Sequence, residues 1–128
     1  MAAQLLSFEE LECWKAGREL RRFLSRELIP LLPREERYRL GDQLLRAARS
    51  VTANIAEGYG RNHHLDNAKF CRNALGSCYE VLDHLICAQD EEWISKEMLD
   101  LSRAKIVTTA RLLNGYIAYL RRAAEAKS

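Results

Sequence analysis

The sequence predicts an all-α protein, an antiparallel up-down-up-down bundle of four helices. Three observations lead there. Apolar residues recur at steps of three and four in four successive segments, which is the helical period. No stretch of alternating Val, Ile or Thr marks a strand. The links between the segments are short, at Pro30 to Arg34, Arg61 to Leu65 and Glu91 to Ile94, and short links force neighbouring helices antiparallel.

The first helix is predicted to begin at Ser7, because Ser7-Phe8-Glu9-Glu10 has the form of a capping box. Its inward stripe is Cys13, Ala16, Gly17, Leu20 and Leu24, with Trp14 beside it, and Pro30 and Pro33 end it. The second is predicted from about Glu35 to Tyr59, with Leu40, Leu44, Ala47, Ala48, Val51, Ile55 and Gly58 inward and Gly60 as a left-handed cap. Its alanines make it thin, so neighbours can come close. The third carries a seam of Ala68, Cys71, Leu75, Cys78, Leu82 and Leu85 and is expected to end near Asp90. The fourth is expected to start at a Ser95 cap and carries Ile106, Ala110, Leu113, Ile117, Leu120 and Ala124.

A chain of 128 residues, 48% hydrophobic and 30% charged, is expected to form one domain over residues 1–128, not a disordered chain. A formal net charge of +2 is too small to argue for nucleic acid. The charge is unevenly spread, however. Arg103, Lys105, Arg111, Arg121, Arg122 and Lys127 face only Glu125 in the last segment, and acids crowd at Glu9, Glu10 and Glu12 and at Asp90, Glu91 and Glu92. Complementarity to helix dipoles is one reading and a phosphate-facing patch is the other. Residues 1–12 lack a basic, then apolar, leader pattern, and no uncharged run approaches the ~20 residues of a membrane span. A cytoplasmic location and no membrane partner are therefore expected. Cys13, Cys71, Cys78 and Cys87 form no C-x-x-C pair and read as free thiols.

The helices carry more apolar surface than one core requires: Leu112, Tyr116 and Tyr119 on the fourth, Phe70, Ala74, Val81 and Ala88 on the third, Trp14 and Phe23 on the first. That surplus points to self-association. Gly17, Gly76 and Gly115 inside helices cost about 1 kcal/mol each against Ala, which suggests close backbone contact, above all at Gly76-Ser77.

Two polar stripes flank the core faces: Arg46, Ser50, Asn54, Glu57 and Arg61, and Asn73, Ser77, Glu80 and His84. They read as a polar seam that fixes register. An enzyme using Glu57, Glu80 and His84 is the weakest of the functional readings. The paired Glu-x-x-His of carboxylate-bridged di-iron bundles is missing, His63 and His64 are adjacent, and no phosphate loop or nucleophile turn occurs. No catalytic, cofactor or metal residue is therefore assigned.

Ser50-Val51-Thr52-Ala53-Asn54-Ile55-Ala56-Glu57-Gly58-Tyr59-Gly60-Arg61 resembles the signature S-[IV]-x-x-N-I-A-E-G-x-G-R of the four-helix bundle proteins of the ribosomal RNA intervening-sequence family. Ala74-Leu75-Gly76-Ser77, with Glu80 three residues on, resembles that family's A-x-G-S-x-x-E block, and Gln43–Ala48 is similar to its Q-[IL]-R-R-A-A. Leu45 stands where the first Arg of that block is usual, so a basic contact there is not expected. Trp14 fits the start of the pattern. The resemblance implies a homo-oligomer, commonly a pentameric ring, with no established activity. It also implies likeness to the accessory proteins of diversity-generating retroelements, which bind a reverse transcriptase and nucleic acid through a basic surface. The family's "ribosomal" label reflects genes lodged in ribosomal RNA genes. Asn54, Glu57, Gly76, Ser77 and Glu80 match its motifs by position, and none is implied to be catalytic.

The expectation is a non-enzymatic, oligomeric binding or scaffold module. Asn54, Glu57, Ser77 and Glu80 are the expected polar seam. Arg46, Arg49, Arg61, Arg111, Arg121 and Arg122 are the candidate contacts to RNA, DNA or a nucleic-acid-processing protein. A purely structural homo-oligomer that binds another protein is the alternative.

Overall fold

A computed structural model of the chain describes residues 7–126, and the expected basic residue Lys127 lies outside them. Four α-helices, α1 (Glu12–Phe23), α2 (Leu40–Gly60), α3 (His64–Asp90) and α4 (Lys96–Ala126), form the bundle. Each packs mainly on the two beside it, in the cycle α1–α2–α3–α4 and back to α1. Leu20, Leu44, Val51, Ile55, Leu85 and Leu113 are fully enclosed along its axis.

Helix α1 starts later than the capping box suggests. Ser7 Oγ does accept the Glu9 N–H, at 3.1 Å, but this caps only a 3₁₀ turn, Phe8–Glu10. Leu11 then turns extended (φ −71°, ψ 131°), which carries its side chain into the core. The returning carboxylate is that of Glu9, which accepts from Ser7 Oγ at 2.9 Å, not that of Glu10. Beyond Phe23 the chain widens into a π turn, Leu24–Leu28, where Leu24 and Leu28 are both buried. Pro30, lacking an N–H, then forces a 3₁₀ turn, Ile29–Leu31. The link to α2 is thus longer than expected. Arg37 clips it together, donating from Nε to the Leu32 carbonyl at 3.1 Å and from Nη2 to that of Pro30 at 2.9 Å.

Helix α2 begins at Leu40 rather than Glu35, because Arg39 leaves the helical region (φ −111°, ψ −82°). Gly60 is its last helical residue and is not left-handed; that conformation falls to Asn62 (φ 57°), a residue that tolerates it. At the end of α3, Glu92 is left-handed (φ 63°). The Trp93 N–H bonds the Ala88 carbonyl at 2.9 Å and the Glu92 N–H that of Gln89 at 3.0 Å. This is a Schellman ending, and it fixes Trp93 over the last turn. Ser95 caps α4 as expected, its Oγ accepting the Met98 N–H at 3.1 Å.

The buried arc of α3 is Ala68, Cys71, Ala74, Cys78, Val81, Leu85 and Ala88; Leu75 and Leu82 lie half-buried at its edge. Ala74, Val81 and Ala88 are therefore core rather than surplus. Leu112, Tyr116, Phe23 and Trp14 also pack against the core. Close helix approach occurs at Gly17, as expected, and at Gly58, but not at Gly76 or Gly115. A Cβ on Gly58 would lie 2.7 Å from Asn67 Oδ1 and 3.0 Å from the Asn67 carbonyl, and one on Gly17 would lie 3.1 Å from Val51 Cγ1. Gly76 and Gly115 have nothing within 4 Å, so the crossing expected at Gly76 does not occur within the chain.

Two predictions follow from this packing. Gly58→Ala should lower stability by about 1–3 kcal/mol through overpacking against backbone, while Gly76→Ala, in open space, should raise it by about 1 kcal/mol. Urea denaturation of both variants measures this, and equal effects would contradict the assigned crossing. The second concerns alkaline pH. Burial pushes the Cys13 thiol up from 9.0 to about 11, and those of Cys71 and Cys78 up to about 12. The folded thiols therefore keep their protons while the unfolded chain ionises. The stability this contributes is whole below pH 9 and is lost as pH rises from 9 towards 11 and 12. Urea midpoints at pH 7 and pH 10 should differ accordingly, with the lower midpoint at pH 10.

Candidate functional site

The polar seam divides into parts. Ser50 on α2 and Ser77 on α3 share a hydrogen bond at 2.8 Å between their hydroxyls. Asn54 Nδ2 donates to Ser50 Oγ at 3.0 Å and to the Ser50 carbonyl at 2.9 Å, while the Ser77 hydroxyl also lies 3.2 Å from the Asn73 carbonyl. These three side chains form a small node that sets the register of the two helices. Glu57 and Glu80 do not join it. Glu57 pairs with Arg61 on its own helix at 3.2 Å, and Arg61 stacks on Phe70 at 4.8 Å. Glu80 faces His84, again one turn along the same helix, at 3.2 Å.

In antiparallel helices joined at Ser50 and Ser77, Glu57 and Glu80 run in opposite directions from the node. They stand roughly 15 Å apart along the axis at 1.5 Å per residue. Both are exposed. Glu57, Glu80 and His84 thus build no common pocket where acid–base chemistry could be shielded from water, and the enzymatic reading is dropped. Among the described residues no group of His, Cys, Asp or Glu is arranged to hold a metal ion. None of their helices is long and apolar enough to cross a membrane.

The candidate arginines fall into separate places. Arg111, Arg121 and Arg122 are exposed on α4, diagonal to α2 in the bundle. Arg61 sits at the far end of α2. Arg46 and Arg49 lie one turn apart on α2 and line one shallow depression with Asp42 and Leu45.

The structure adds cations to that last pair. Arg21 of α1 donates from Nη1 to Thr52 Oγ1 of α2 at 2.7 Å. Partial burial, and then the charges of Arg18, Arg49 and Arg22, pull its guanidinium below the usual value. Arg18 in turn lies over the Trp14 ring at 5.7 Å. Arg18, Arg21, Arg22, Arg46 and Arg49 therefore make one basic ridge across α1 and α2. Arg21 and Arg22 close the last turn of α1, where cations suit the helix dipole. Arg46 and Arg49 sit inside α2, where that reason does not apply. Sequence reading missed the α1 members, because the ridge exists only once α1 lies against α2; the repeated Arg-x-x-Arg spacing at Arg18–Arg21 and Arg46–Arg49 was the available signal.

A second set of exposed groups is apolar. Leu101 and Tyr119 remain half-exposed on α4, five turns apart and so on one side, with Thr108 and Gly115 between them. Tyr119 stacks on Tyr116, ring centroids 6.2 Å apart. A shallow groove of about 290 Å³ runs beside Leu101, lined by Ala16, Ala104, Lys105 and Thr108 among others.

Comparison with known proteins gives one family and a fold. The model of the 23S rRNA-intervening sequence protein family matches residues 9–115. No curated protein matches the chain. Among solved structures, the chain is similar to a protein of unknown function of the S23 ribosomal protein family from Bacteroides thetaiotaomicron. The TM-score is 0.75 at 21% identity, over 83% of this chain and 95% of that one. At that identity the likeness is one of fold.

Proposed function

The chain belongs to the 23S rRNA-intervening sequence protein family, and from that premise we propose that it is a non-catalytic, self-associating binding module whose basic ridge engages nucleic acid or a protein that carries it. The observation that supports this reading most is the ridge itself. Four guanidiniums from two helices, those of Arg18, Arg21, Arg22 and Arg49, stand close enough for Arg21 to feel the charge of its neighbours, with Arg46 beside Arg49, an arrangement that repels itself unless an anion lies across it. Phosphate is the anion that planar guanidinium groups bind best. The free state of all four cysteines fits a reducing compartment, and the cytoplasm is the proposed location.

Self-association is the second part of the proposal, with the pentameric ring suggested by the family resemblance as its form. The open side of α4 supports it: Leu101 and Tyr119 half-exposed, with open space where a Gly115 Cβ would stand. The alternative, a structural homo-oligomer that binds only another protein, keeps this face and loses the role of the ridge.

Binding of labelled RNA and DNA oligonucleotides should weaken linearly in log affinity against log salt. Charge reversal of Arg46 and Arg49 should cost about tenfold or more at low salt and flatten the slope, while reversal of Arg121 and Arg122 should do far less. Affinity indifferent to salt, or no binding at low salt, counts against nucleic acid and leaves the alternative. For assembly, light scattering of the full chain should show an oligomer at micromolar concentration, and Gly115→Glu should shift it towards monomer. A wild-type monomer at that concentration would remove the self-association claim.

A further inference from the structure

At one end of the ridge, between the start of α2 and the end of α3, lies an open groove of about 650 Å³, within the roughly 300–1,000 Å³ of small-ligand clefts. Tyr38 and Trp93 line it, with Gln43, Arg46 and His84 between. Each aromatic ring is set there by its own backbone device. Tyr38 ends the 3₁₀ turn Glu36–Tyr38, which the Arg39 break separates from α2, and it is 74% exposed. Trp93 is held by the Schellman ending of α3, with its N–H on the Ala88 carbonyl. A large aromatic left mostly in water, beside a second one half-buried, has no role in the core of this chain.

The charge of the groove differs from that of the ridge. Glu36 pairs with Arg39 at 3.7 Å, and Asp42 stands one turn before Arg46 on α2. The groove is close to neutral, so it does not suit a phosphate. It suits a flat, uncharged heterocycle, which can stack on an aromatic face while an amide or a carboxylate meets its polar edge. The groove and the ridge are continuous, because Asp42 and Arg46 line both the groove and the depression that holds Arg49.

We propose that this groove takes an unstacked base of a single-stranded nucleic acid whose phosphates lie along the Arg46–Arg49 end of the ridge. The inference rests on the nucleic-acid reading above and narrows its ligand. In a duplex the base faces are stacked and the Watson–Crick edges paired, so only an unpaired strand can offer both a face to the groove and its phosphates to the ridge. The module is then a reader of single strands.

The test uses the full chain with Trp14→Phe, which leaves Trp93 as the sole remaining tryptophan, since the sequence has two. Three probes of equal length are titrated: a single-stranded oligonucleotide, its duplex, and an oligonucleotide of abasic sites that keeps the phosphates. The single strand should quench Trp93 fluorescence; the duplex and the abasic strand should bind, by anisotropy, without quenching it. Tyr38→Ala, on an exposed side chain, should cost the single strand roughly tenfold in affinity and leave the abasic strand unchanged. Cys87, the exposed cysteine that also lines the groove, should alkylate more slowly with the single strand bound.

If all three probes bind alike, Trp93 stays unquenched and Tyr38→Ala changes nothing, the groove assignment is overturned while the nucleic-acid reading stands. If none of the probes binds at low salt, the nucleic-acid reading fails and the groove assignment fails with it.

Discussion

The close approach of α2 and α3 at Gly58 governs the rest of the bundle. The absence of a side chain at Gly58 lets Asn67 lie against the α2 backbone. From there Asn67 Nδ2 donates to the Tyr116 hydroxyl of α4 at 3.0 Å, and its Oδ1 accepts the Cys71 thiol at 3.4 Å. One residue thus ties three helices at a single level. Two turns along, the Ser50–Ser77 bond holds the same pair of helices in register. The buried hydroxyls of Ser102 and Thr109 bond carbonyls of their own helix, so the core carries them without an unmet donor. The small buried side chains Ala47, on the Gly58 side of α2, and Ala74, on the Asn67 side of α3, let the axes come together, and larger residues there would force them apart.

That constraint places the surfaces. With α3 held against one side of α2, the Arg46–Arg49 side is left to face outward, and α1 supplies further arginines alongside it. The same register sets the end of α3, with Trp93 on it, beside the start of α2, with Tyr38 before it. The polar residues that look most like chemistry are absorbed differently: Asn54 and Ser77 in the register node, Glu57 and Glu80 in exposed pairs with a neighbour on their own helix. The family's motif residues thus carry structure, while arginines scattered through the first half of the chain supply the charge.

Apolar periodicity made the four helices legible, because burial of one stripe per helix is what the pattern encodes, and the short links gave their antiparallel order. Boundaries were less so. Ser7 and Glu35 have the local chemistry of helix starts, yet burial of Leu11 and the backbone break at Arg39 delay both helices. In α3 a spacing of three and four admits two neighbouring seams. Only the neighbours decide that Ala74 and Val81 go fully inward while Leu75 and Leu82 stay at the rim. Glycines were legible only in part for the same reason: Gly17 meets α2 as expected, but Gly58 and Gly76 cost a helix the same amount, and only the packing says which has a neighbour. The ridge and the groove join residues far apart in sequence, so neither is visible before α1 and α3 are laid against α2.

The proposed site of an anionic strand is the α1–α2 side of this bundle. Ultraviolet cross-linking of a photoactivatable single-stranded oligonucleotide to the full chain, with the adducts located by mass spectrometry, tests it most directly. Adducts should fall on peptides carrying Arg18 to Arg22, Tyr38 to Arg49 and Trp93. Adducts confined to the α4 peptides around Arg111 or Arg121 would contradict that placement.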